Sequence, residues 1–74
     1  MKVLLFGALA EVTGKPVIEM EAKDIDSLKE ILSIQFPLLN QHKFQFAVNK
    51  VKIKHNISLK NSDEIALLPP FAGG

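Results

Sequence analysis

The hydrophobic period of this chain changes once, and that change limits the folds open to it. From Asp24 onward Ile25, Leu28, Leu32 and Phe36 recur at spacings of three, four and four, with Ile31 widening the stripe, which predicts one amphipathic helix. Asp24 is placed as its N-cap, Asp26 adds negative charge to the first turn where the helix dipole favours it, and Pro37 stops it after Phe36. On either side the apolar residues fall in short runs of strand type. Lys2 to Phe6 is rich in branched and aromatic residues and ends at Gly7; Val17 to Glu21 alternates after Pro16. Phe44, Phe46 and Val48 alternate with Gln45, Ala47 and Asn49, and Asn49-Lys50 turns the chain into a short strand, Val51 to Lys54. Asn61-Ser62-Asp63 is a turn before the last strand, Glu64 to Leu68. Between the first two strands Leu9 and Val12, followed by Gly14, predict a short helical turn closed by glycine, and Leu38 to Lys43 reads as a connection.

The order is therefore strand, strand, helix, strand, short strand, strand, an α+β chain with one main helix on one face of a mixed four- to five-stranded sheet. With 74 residues there is room for a single domain, and a chain this short buries only about 60% of its unfolded surface. It has no cysteine to staple it, so a disulfide, a thiolate metal site and a thiol nucleophile are all excluded. Its nine lysines, with no arginine, are nearly balanced by eight interspersed acidic residues, which argues against a nucleic-acid footprint. The apolar run Val3 to Phe6, which no other run exceeds, falls far short of the roughly 20 residues of a membrane span, and Met1-Lys2-Val3 leads into no signal-peptide pattern. The expected address is the cytoplasm.

Two features exceed the needs of a plain domain. A single helix covers one side of a sheet, yet apolar residues occupy both sides of the strands. If Val3, Leu5, Ile65 and Leu67 face the helix, then Leu4, Phe6, Ala66 and Leu68 form an outward apolar stripe, with Ala47 a further member. Either the stripe meets a partner, or the short helical turn or the loop after Phe36 folds over it. The second feature is the C-terminus. After a domain spanning residues 1–68, Pro69-Pro70 cannot continue a ladder, and Phe71-Ala72-Gly73-Gly74 offers no further element. The expected segment 69–74 is a flexible tail that reaches roughly 20 Å when extended. Its last two residues lack Cβ and fit a narrow channel, leaving the Gly74 carboxylate as its reactive group. The competing reading is an inert frayed end.

Other sites are poorly specified. Glu11, Glu19, Glu21 and Glu30 show no spacing that forces acid–base pairing, and His42 and His55 belong to no metal-ligand pattern, so no metal site is expected. Lys50, Lys52 and Lys54 guard an edge strand, while Lys43 and Lys60 are further cations of undefined role.

Along its whole length the sequence resembles the MoaD/ThiS group of ubiquitin-like sulfur carriers, and within it the small subunits of molybdopterin synthase. The resemblance rests on Lys2-Val3-Leu4-Leu5-Phe6-Gly7-Ala8 with Leu9, Glu11 and Gly14; on Asp24-Ile25 with Leu28; on Ala47-Val48-Asn49; on Leu59, Asp63-Glu64 and Ile65-Ala66; and on the Pro-Pro-x-x-Gly-Gly ending of residues 69–74. That ending favours MoaD over ThiS. Ser62 departs from the glycine usual in the turn before the last strand.

The resemblance implies a β-grasp fold and a chain that is no enzyme by itself but the sulfur-donor subunit of a synthase. It implies that Gly74 is adenylated by a MoeB-like activating enzyme using ATP and converted to a thiocarboxylate with sulfur from a donor such as a cysteine desulfurase. The tail, Pro69, Pro70, Phe71, Ala72 and Gly73 included, then enters a MoaE-like large subunit within a heterotetramer. There the sulfur passes to cyclic pyranopterin monophosphate to build the molybdopterin dithiolene. Phe6, Leu4, Leu68 and Ala66 are the candidate partner-binding residues. No cofactor is expected on this chain, which has no glycine-rich phosphate loop. The alternatives are a ThiS-like carrier for thiamine thiazole synthesis, a ubiquitin-like modifier conjugated through Gly74, and a binding module with an inert tail.

Overall fold

A computed structural model of the chain describes residues 1–70. Five strands, β1 (Lys2–Leu5), β2 (Val17–Glu19), β3 (Gln45–Val48), β4 (Val51–Ile53) and β5 (Glu64–Leu68), form one mixed sheet in the order β2-β1-β5-β3-β4. The chain's last strand lies in the middle. β5 runs parallel to β1, with Val3 beside Ile65 and Leu5 beside Leu67, and antiparallel to β3, with Phe46 beside Leu67 and Val48 beside Ile65. β2 and β4 are the edges.

The two main-chain periods do what their sequence spacing implies. The helix α2 (Ile25–Gln35) turns Ile25, Leu28 and Leu32 onto the sheet, and strand alternation sends Val3, Leu5, Ile65 and Leu67 up to meet them in one buried cluster. Two short elements close the rest of that side. Helix α1 (Ala8–Thr13) contributes Leu9 and ends at Gly14, whose φ of 74° and N–H bond to the Ala10 carbonyl at 2.9 Å make a left-handed cap. Leu38 to Lys43, read as a plain connection, instead overlaps a 3₁₀ helix, Pro37–Gln41. Its three-residue period buries Leu39 and leaves Leu38 outside, so a run of two leucines hides one contact.

The β3–β4 hairpin closes through Asn49 and Lys50 with φ of 51° and 72°, the positive values of the primed two-residue turn that matches strand twist. The Asn61–Ser62 turn is different. Asp63 N–H returns to the Lys60 carbonyl at 3.0 Å, and neither central residue has positive φ, so the serine in place of the family's glycine is accommodated without strain. Asn49 links the two turns: its amide donates to Asp63 Oδ1 and its Oδ1 accepts from Glu64 N–H, both at 3.0 Å. Among the described residues no helix is long and apolar enough to cross a membrane.

Candidate functional site

The face of the sheet away from α2 carries the first candidate site. Register sets Val17, Leu4, Ala66, Ala47 and Lys52 side by side in one row across all five strands. The next row toward the chain's exit holds Leu68 opposite Gln45, with Phe6 tied alongside by its N–H bond to the Leu67 carbonyl at 3.2 Å. At the other end Lys2 lies between Glu19 and Glu64. The open face is thus apolar across its middle and toward the tail, and charged at its far end.

Neither short helix folds over this face, since Leu9 and Leu39 both pack into the cluster on the α2 side. Exposure within the stripe is uneven. Phe6 is 45% exposed, while Leu4, Ala66 and Leu68 are half-buried by their row neighbours and Ala47 is only 5% exposed. Ala47 therefore shares the outward face without being an exposed member of it, because a methyl group between larger cross-strand neighbours is shielded by them. Sequence alternation assigned the face correctly and overstated how much of it meets water.

The segment expected as the tail starts, at Pro69, where this face ends. β5 stops at Leu68, and Pro69 packs close to Gly7, where a Cβ on the glycine would come within 3.4 Å of the proline Cγ. Gly7 itself has φ 58° and ψ −134°, a conformation essentially reserved for glycine, and it starts α1. Phe6, Gly7, Leu68 and Pro69 are thus brought together as the root of the tail. Phe71, Ala72, Gly73 and Gly74, the chemically decisive residues of the sequence reading, lie outside the described residues.

Two aspartates among the described residues hold backbone amides. Asp24 Oδ1 accepts the Ser27 N–H at 2.8 Å, which holds its carboxyl below the ordinary aspartate range, and Asp63 is lowered by the Lys60 N–H at 2.8 Å and the Asn49 amide. The first three amides of α2 are all satisfied: Ile25 N–H bonds to the Ile57 carbonyl, Asp26 N–H to Asn56 Oδ1 at 2.8 Å, and Ser27 N–H to Asp24. Asn56 was not singled out by sequence reasoning, because its partner is 30 positions away. His42 and His55 are both exposed, and among the described residues no group of three or more His, Asp or Glu is placed to hold a metal ion. Glu11, Glu19 and Glu30 fall on three different elements, α1, β2 and α2, and Glu19 lies 3.7 Å from the N-terminal ammonium.

A helix gripped by a five-stranded sheet whose first and last strands run parallel at its centre defines the domain as a ubiquitin-like β-grasp. The chain belongs to the ThiS family, which it matches over residues 3–74. It is 34% identical to the molybdopterin synthase sulfur carrier subunit of Mycobacterium tuberculosis over 80 aligned positions, covering 100% of this chain and 96% of the relative. The small archaeal modifier protein 1 of Methanosarcina acetivorans superposes with a TM-score of 0.83 at 27% identity, covering 99% of this chain and 94% of that one. A complex of subunits 1 and 2 of the molybdopterin-converting factor from Helicobacter pylori contains a chain that superposes with a TM-score of 0.73 at 30% identity, covering 99% and 96%.

Proposed function

We propose that this chain is the sulfur carrier subunit of a molybdopterin synthase. The observation that carries the reading is the 34% identity to a molybdopterin synthase sulfur carrier subunit across the entire chain, the Pro-Pro-x-x-Gly-Gly segment included. The apolar face that runs into the root of that segment supports it, because it offers a receiving protein a surface continuous with the tail. The chemistry follows from the tail's one functional group. A carboxylate is a poor acyl donor until its oxygen belongs to a good leaving group. A MoeB-like enzyme transfers AMP from ATP to the Gly74 carboxylate with loss of pyrophosphate. The outer sulfur of a donor persulfide then displaces AMP to give an acyl disulfide, and a second thiol cleaves its S–S bond, forming a disulfide with the donor sulfur and releasing the thiocarboxylate. In the active site of a MoaE-like large subunit the thiocarboxylate gives its sulfur to cyclic pyranopterin monophosphate, and water restores the carboxylate. The domain's part in this is to dock, to aim the tail and to let two glycines pass a narrow channel.

Intact mass spectrometry tests the reading. Incubation with ATP, the activating enzyme and a sulfur donor is expected to add the mass of sulfur minus oxygen on the Gly74 acyl group, and a chain that stays unchanged overturns it. The likeness to an archaeal modifier favours a second reading, conjugation of Gly74 to target lysines. Isopeptide-linked conjugates in cells, in place of a sulfur-loaded chain paired with a large synthase subunit, would select that reading. Capture of a thiazole synthase would select the ThiS-like role.

A further inference from the structure

Charge is distributed unevenly over a chain whose net charge is only +1. At the end of the sheet far from the tail, Lys2 is flanked in register by Glu19 and Glu64, and Lys60 stands next to the Asp63 turn. The tail end differs. Gln45 pairs with Leu68 at the end of the ladder, and Lys43 and Pro70 each lie two residues beyond that pair. Both line a groove of about 460 Å³, together with Lys29 of α2, His42 and Phe44. No acidic side chain lines it. Lys29 also borders a neighbouring groove that holds Lys54, His55 and Asp26, and a third in which Asp26 and Glu30 accompany His42. Among the described residues neither Lys29 nor Lys43 has an ion-pair partner.

We infer that Lys29 and Lys43 form a basic collar at the root of the tail and dock against an acidic rim on the protein that receives it. This rests on the proposed tail-inserting function and adds the electrostatic character of the receiving surface. The occupant is set by complementarity and position. Two unpaired ammonium groups beside Pro70 face whatever surrounds the mouth of the channel the tail enters. A carboxylate rim there steers the tail toward the channel before any apolar contact forms. Charges on the edge of an interface act chiefly on the association rate and on its salt dependence. The collar thus complements the open face: Phe6 and Leu68 supply adhesion, and the lysines supply approach and register.

The test compares Lys29→Glu and Lys43→Glu with Lys50→Glu, which makes the same charge change at the hairpin turn on the opposite end of β3. Each variant is checked by thermal melting and then titrated, full length, against the large synthase subunit from the same organism by stopped-flow or surface binding. At low salt the two collar variants are expected to associate roughly tenfold more slowly than the parent chain and Lys50→Glu to stay within about twofold, with the difference vanishing near 1 M salt. Unchanged rates for both collar variants would overturn the collar while leaving the carrier reading intact. Faster association would mean that the lysines retain the chain's own terminal carboxylate, which overturns it too. If the parent chain gains no sulfur by mass and forms no complex, the collar falls together with the function it rests on.

Discussion

Replacing Gly7 with L-alanine separates backbone strain from crowding at the root of the tail. At φ 58° and ψ −134° an L-residue is in a sparsely populated region that costs about 1–3 kcal/mol. Alanine stiffens the unfolded chain, which offsets about 0.4–1 kcal/mol of this. The added Cβ contributes little beyond that, since its nearest neighbour, Pro69 Cγ, would be 3.4 Å away, an ordinary van der Waals distance. The expected loss is about 1–2 kcal/mol, and for a domain of this size the melting temperature should fall by about 5–15 °C. Calorimetry and urea titration both read it. The chain is short enough for chemical synthesis, and D-alanine at the same position has the mirror-image preference, for which these angles are ordinary extended values. The D-variant should be as stable as the parent or slightly more so. Equal destabilisation by L- and D-alanine would refute the strain argument.

Asn56→Ala removes the Oδ1 that accepts from the Asp26 amide and should cost about 1 kcal/mol, read as a shift in the urea midpoint without a change in slope. Phe6→Ser should weaken binding to the large synthase subunit tenfold or more while shifting stability by less than about 1 kcal/mol, because the ring is already 45% exposed. Leu67→Ala, from the same end of the sheet but fully buried, should cost about 2–5 kcal/mol; similar melting losses in both would make Phe6 a core residue. Asp24 and Asp63 are both lowered in the folded state, so each contributes fully above the unfolded aspartate value near 3.8 and is lost as pH falls through the lowered folded value. Stability measured from pH 6 to pH 2 should therefore drop along the acid limb, and Asp24→Asn with Asp63→Asn should flatten that drop.

What the sequence made legible was what repeats or punctuates locally. The stripe from Ile25 to Phe36, the Asp24 cap, Gly14 and the Asn49–Lys50 turn each carry their signal within a few residues. Strand alternation also divided Val3 and Leu5 from Leu4 correctly. Contacts across long separations were invisible. Nothing near Asn56 announces that it seals a helix beginning at Ile25, and nothing in the spacing of Lys29, Lys43 and Pro70 shows that β3 pairing sets them around one groove. The 3₁₀ helix was missed for another reason: two adjacent leucines fit a loop, a strand or a turn equally well, and only the packing of Leu39 decides. The tail was read from residue type alone, by its prolines and by what its glycines lack, so its chemistry was legible where geometry was not.

The central place of β5 makes it the keystone of the sheet. β1 with β2, and β3 with β4, are two ribbons that share no hydrogen-bonded edge except through it. Until Glu64 to Leu68 slot in, neither ribbon has a lateral neighbour, and two strands alone are marginal in water. Folding must then be completed by the last strand, in one cooperative step that closes almost the whole length of the chain. The same arrangement offers a practical route. A fragment ending in the Asn61–Ser62 turn should remain incomplete until a synthetic peptide of β5 and the tail is added, and that peptide can be made with its sulfur already in place.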